Sequence, residues 1–161
     1  MTTHIFDATL DDLPRVQALA RDIWPECFAG ILPPERIGPM VEVIYALDTL
    51  RADVIERGHR YWLAQVDGED AGYVSAYQEG PRLWLKKLYL RDICRGRGTG
   101  KALVNTILAA FPDARELALY VNDGNAPAIA FYHSQGFEIE ATVPVRMGPF
   151  DFTDHIMRKP L

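Results

Sequence analysis

Cysteine is scarce: Cys27 and Cys94 are the only two among 161 residues, too few for a disulfide framework. Neither stands at metal-ligand spacing from the four histidines, so no metal is expected. Both read as reduced, structural thiols, with a reactive Cys94 as the alternative because it adjoins a glycine-rich stretch. Long apolar runs are missing too, and no stretch of about 18 residues is suited to crossing a bilayer. The first ten residues lack the basic start and apolar core of a secretory signal, so a cytoplasmic chain is expected. Positive charge is in deficit: 17 Lys and Arg against 22 Asp and Glu leave a net charge of −5. That balance argues against nucleic acid as the main partner and favours cationic or neutral small molecules. Repeats, linkers and low-complexity segments are absent, so residues 1–161 read as one domain with 48% hydrophobic residues to fill its core.

Between an apolar run at 83–90 and an amphipathic stretch from Ala102 stand Arg95, Gly96, Arg97, Gly98, Thr99, Gly100 and Lys101. Glycines let successive backbone N–H groups converge on one point, and a following helix turns its positive end to the same point. The stretch therefore predicts a phosphate or pyrophosphate cradle. Spacing excludes two common versions. The dinucleotide fingerprint read from Gly98 requires a glycine where Leu103 stands, and read from Gly96 it requires one at Lys101. A P-loop ending at Gly100 and Lys101 requires glycine at Arg95 and a hydroxyl at Ala102. What fits is Arg-x-x-Gly-x-Gly, at Arg95, Gly98 and Gly100. A second pattern follows downstream at Asn125, Ala128, Tyr132, Gly136 and Phe137, spaced Asn-x-x-Ala-x-x-x-Tyr-x-x-x-Gly-Phe.

Residues 4–8 read as a first strand. Thr9 and Asp12 then cap a helix running to Trp24, in which Leu13, Val16, Leu19, Ala20 and Ile23 share one face. Pro25, Gly30, Pro33 and Pro34 break that pattern, and a second helical region starts at Glu35 with Pro39 in its first turns. A further turn or helix covers 48–57 and ends at Gly58. Strands are expected at 61–66 and 72–77 around a turn at Asp67, Gly68, Glu69 and Asp70, and again at 82–90. After the loop come a helix at 98–110, a strand at 116–121, a helix at 126–135 and closing strands at 137–146 and 154–159. The order β-α-α-β-β-β-α-β-α-β-β predicts an α/β domain with a mixed, largely antiparallel sheet.

The two patterns together resemble the GCN5-related N-acetyltransferase (GNAT) family, most clearly over 83–137, and the run from Trp24 through Phe28 to the helix at Glu35 looks similar to bacterial small-molecule members related to polyamine acetyltransferases. The resemblance implies the GNAT fold: a central sheet flanked by helices, with a V-shaped splay between its fourth and fifth strands. It implies acetyl-CoA as donor, coenzyme A as product and direct transfer to an amine. Carried onto this sequence, the pyrophosphate belongs at Arg95, Gly96, Arg97, Gly98, Thr99, Gly100 and Lys101. The pantetheine arm belongs along the backbone of Leu88, Tyr89 and Leu90, with Asn122, Asn125, Ala128 and Phe131 completing the cofactor site. Tyr132 matches the family's general acid, since a phenol with pKa about 10 is protonated at neutral pH and donates to a departing thiolate. Packing of its helix against the sheet is the alternative role.

Some family members carry a glutamate base on the strand before the loop. Trp84 occupies that position here and accepts no proton. Glu79, Glu26, His59 and an ordered water chain are the alternatives. Lys86 and Lys87 disfavour a nearby ammonium, and one of them is expected to face solvent. The resemblance places the acceptor wall at Trp24, Pro25, Glu26, Phe28, Tyr45, Phe150 and Phe152, and Glu26 with Glu42 suits a polycation. The expected acceptor is the primary amine of a polyamine or an amino-acid-like molecule. A protein N-terminus or lysine, and a non-catalytic acyl-CoA-binding module, are the alternatives. No membrane partner is expected, and by family analogy the chain is a monomer or a homodimer.

Overall fold

The computed structural model describes residues 2–161. β1 (Thr3–Asp7) leads into a capping box in which the Thr9 N–H donates to the Asp12 carboxylate at 2.8 Å, and α1 (Leu13–Cys27) follows. Pro25 does not end this helix as expected. It sits in the last turn, where it forfeits only one backbone donor, and the Phe28 N–H still reaches the Trp24 carbonyl at 3.0 Å. α2 (Pro34–Ile44) carries Pro39 in its interior and not in its first turn, and residues 48–57 belong to a full helix, α3 (Leu47–Arg57), closed by Gly58 at φ 72°.

β2 (Arg60–Val66) and β3 (Glu69–Glu79) form a hairpin whose turn is only Asp67 and Gly68, at φ 51° and 84°. Two positive-φ residues match the twist of the flanking strands, so Glu69 and Asp70 join β3 and pair with Val66 and Gln65 instead of forming the turn. β4 (Arg82–Leu90), α4 (Thr99–Ala110), β5 (Glu116–Asn122) and α5 (Ala126–Ser134) come next. The closing hairpin is β6 (Glu138–Met147) with β7 (Phe150–Pro160). β7 starts four residues before its expected position because Phe150 and Phe152 already pair with Met147 and Val145.

The seven strands lie in the order β1-β2-β3-β4-β5-β7-β6, all antiparallel except the β4–β5 pair. That pair is hydrogen-bonded only from Arg82 to Leu85 against Glu116 to Leu119. A bulge at Lys86 turns the rest of β4 aside: Leu85 pairs with Ala76, whereas Ser75 pairs with Lys87. Residues 86–90 and 120–122 therefore diverge into the V that the family resemblance implies. Two apolar layers hold the sheet. Leu13, Leu19, Ile23, Met40 and Leu50 pack on Tyr61, Leu63 and Tyr73 on one face, and Leu103 and Ile107 pack on Leu83, Leu85, Leu117 and Leu119 on the other. No helix among the described residues is long and apolar enough to cross a membrane.

Candidate active site

At the open end of the V lies a cleft of about 1610 Å³ that runs from the glycine loop to the first two helices and the last hairpin. Its loop wall is made by backbone. Gly96 and Gly98 stand at φ 73° and 78°, where a side chain would be strained, and Gly98 is the N-cap of α4. This turn brings N–H groups together at a helix N-terminus, which fits a pyrophosphate. Gly96, Gly98, Gly100 and Lys101 line the cleft, whereas the exposed Arg97 and the buried Thr99 lie outside its lining. Arg95 lines the cleft, but its guanidinium braces the loop, pairing with Asp92 at 2.6 Å and donating to the Leu90 carbonyl at 3.3 Å. Burial pushes the thiols of Cys27 and Cys94 up, away from thiolate reactivity.

Leu88, Tyr89 and Leu90 line the cleft on the half of β4 released from β5, so backbone groups there that face away from β3 lack a strand partner, the Leu90 carbonyl being held by Arg95. Opposite them, the two asparagines shape the turn into α5. Asn122 Oδ1 accepts from the Gly124 N–H at 2.9 Å, and Asn125 caps α5 by accepting from the Ala128 N–H at 3.3 Å. α5 then presents Ala128, Phe131 and Tyr132 to the cleft. Tyr132 packs edge-on to Phe131 and Phe137 with centroid separations of 5.3 and 5.4 Å. Burial alone drives its pKa upward, which keeps the phenol protonated across the physiological range.

The far wall is aromatic. Trp24, Phe28, Tyr45 and Tyr89 form one cluster, in which Trp24 Nε1 donates to Tyr45 Oη at 3.2 Å and Tyr73 Oη donates to the same oxygen at 2.7 Å. Glu26 stands exposed at the rim and Phe152 lines the cleft, while Pro25 and Phe150 lie outside the lining. Glu42 is engaged elsewhere, in a 2.9 Å bond from Arg21. Trp84 lines the cleft, stacked on Tyr120 at 5.1 Å.

Of the alternative bases, Glu79 ends β3 in solvent. His59 lies behind the wall, stacked on Tyr77 at 4.4 Å, and burial lowers its pKa to about 4. Both lysines of β4 line the cleft, and so does Asp154, which sequence reasoning passed over. Lys86 is exposed, as one of the two lysines was expected to be, but Lys87 is 5% exposed and donates to Tyr61 Oη at 3.1 Å. Burial and then Lys86 lower its pKa to about 7. Asp154 of β7 is 6% exposed. Its place at the first residue of an expected strand gave no sign of which way it points. Among the described residues, no cluster of three or more potential ligands is placed to hold a metal.

A family model described as the acetyltransferase (GNAT) family matches residues 16–137. An uncharacterised N-acetyltransferase of Mycobacterium tuberculosis is 28% identical over 155 residues, 94% of this chain and 99% of the relative. The spermidine N(1)-acetyltransferase of Thermoplasma acidophilum is 24% identical over 165 residues, covering 99% of this chain and 98% of its own. Among solved structures, the PaiA N-acetyltransferase of T. acidophilum in complex with coenzyme A aligns with a TM-score of 0.86 over 100% of both chains at 24% identity. The chain belongs to the GNAT family and is an N-acetyltransferase.

Proposed function

We propose that the protein moves the acetyl group of acetyl-CoA directly to the primary amine of a small molecule, a polyamine or an amino-acid-like acceptor. The observation that carries this reading is the V itself: one cleft joins a helix-start N–H cradle, a stretch of β4 without a partner on its β5 side and a protonated tyrosine. The cradle holds the pyrophosphate. The backbone of Leu88, Tyr89 and Leu90 pairs with the pantetheine amides, and an N–H from the same stretch stabilises the carbonyl oxygen as charge develops there. Tyr132 delivers a proton to the departing sulfur. The closed aromatic wall of Trp24, Phe28 and Tyr45 suits a compact acceptor better than a peptide laid across the surface, and the spermidine-acetylating relative supports an amine of that size.

The test is acetyl-CoA-dependent thiol release with polyamines, amino acids, aminoglycosides and peptides, for the wild type and Tyr132→Phe. Release with one class of small amine is expected, and the variant should lose about 100-fold in kcat with little change in KM for acetyl-CoA. Coenzyme A binding without release for any amine would replace this reading with that of a binding module.

A further inference from the structure

An acceptor amine arrives as an ammonium and must lose a proton before it attacks, and no side chain assigned so far takes it. Asp154 has the required placement. It lies on β7 directly across from Asn122 at the open end of β5, and it lines the same cleft as Tyr89 and Tyr132. Its side chain is nearly buried, yet its carboxylate forms no ion pair or side-chain hydrogen bond with any described residue. The orphaned buried side-chain groups among the described residues are His59 Nδ1 and Ser75 Oγ, not this carboxylate: the Asp154 oxygens keep access to the cleft, where a cationic ligand can reach them.

We propose that Asp154 binds the acceptor ammonium and acts as the general base of the reaction. This rests on the acetyltransferase reading above and adds its missing proton acceptor. The first ammonium proton passes to the Asp154 carboxylate and leaves from there to solvent. The freed nitrogen lone pair forms the new C–N bond at the thioester carbonyl, and collapse breaks the C–S bond. Tyr132 protonates the sulfur, and the second proton of the attacking nitrogen restores the phenol. One acylated amine, one thiol and one proton result.

The surroundings suit the role. Burial, then Asp123 from the turn after β5, raise the carboxyl above its ordinary range, which strengthens it as a base. His155 on β7 and Lys86 on β4 act in the opposite direction. The Tyr89 phenol on β4 is raised by burial first, then by Tyr132 and Cys27, with Asp154 adding last.

The experiment measures kcat/KM from pH 6 to pH 10 for wild type, Asp154→Asn and Asp154→Glu, with spermidine and with the best acceptor of the amine panel. Titration of each protein with acetyl-CoA runs alongside. The amide variant should bind acetyl-CoA as wild type does, lose about 100-fold in kcat/KM at pH 7, and recover as the pH nears that of the free amine. The glutamate variant should restore part of the rate and the wild-type shape of the profile. An amide variant within twofold of wild type at every pH, or one lowered equally at all pH values, overturns the role of Asp154 and leaves the acetyltransferase reading standing. Absence of release by the wild type with every amine overturns both.

Discussion

A lysine ammonium lying 5.5 Å from the ring centres of both Tyr45 and Tyr61 keeps one hydrogen bond and loses most of the water that would solvate its charge. The nearest carboxylate behind it, Asp53, is occupied by Arg57 at 3.0 Å. The folded protein therefore holds Lys87 with a pKa of about 7 against an ordinary 10.5. Between those values the unfolded chain binds the proton and the folded chain does not, so this residue's penalty is full below pH 7 and fades as pH rises toward 10.5. Lys87→Met should raise the melting temperature at pH 6 to 7, by the equivalent of a few kcal/mol. The gap between variant and wild type should narrow steadily up to pH 9.5, as read by calorimetry at each pH. A gap that is flat with pH would show that Lys87 is charged in the fold. His59 behaves in the same sense at lower pH: with its pKa lowered from 6.5 to about 4, it draws stability away as pH falls through that window.

Secondary-structure ends position the groups that line the cleft, and α5 shows how. None of its residues is fully buried, so it depends on its start more than a core helix does. Asn125 supplies the cap, and Tyr132 rides two turns further on. Asn125→Ala should cost about 1 kcal/mol of stability. It should also lower kcat at temperatures where the protein remains folded, because the phenol loses its fixed position; denaturant unfolding and steady-state kinetics separate the two effects. The sequence patterns for such ends were readable wherever a local rule sufficed, as with the box at Thr9 and Asp12 or the stop at Gly58. They failed where backbone pairing extended an element past its turn signals, at Glu69 and at Phe150. Pro25 misled for a related reason, since the last turn of a helix has little left for a proline to break.

Across the whole molecule, the closed end of the V is clasped by charge. Glu116 on β5 accepts from Arg82 on β4 and from Arg158 on β7, each at 2.6 Å, and Arg82 continues to Glu140 on β6 at 2.8 Å. Arg82, then Arg158, hold the Glu116 carboxyl below its ordinary 4.5, so this clasp contributes above that pH and is lost as acid protonates it. Glu116→Gln should lower the melting temperature at pH 7 and weaken acetyl-CoA binding, and the difference from wild type should shrink below pH 4. By itself the sequence determined the glycine loop at 95–101 and the pattern from Asn125 to Phe137: each is contiguous, and its backbone geometry follows from local rules. Of the residues expected to wall the acceptor, Trp24, Glu26, Phe28, Tyr45 and Phe152 do line the cleft, whereas the charges inside it were decided by tertiary structure. A one-residue bulge at Lys86 turns Lys87 inward, and the order β5-β7-β6 carries Asp154 to the mouth of the V across from Asn122. The facing of a strand residue depends on its register with neighbours distant in the chain, so the same amino acids read alone are ordinary surface charges.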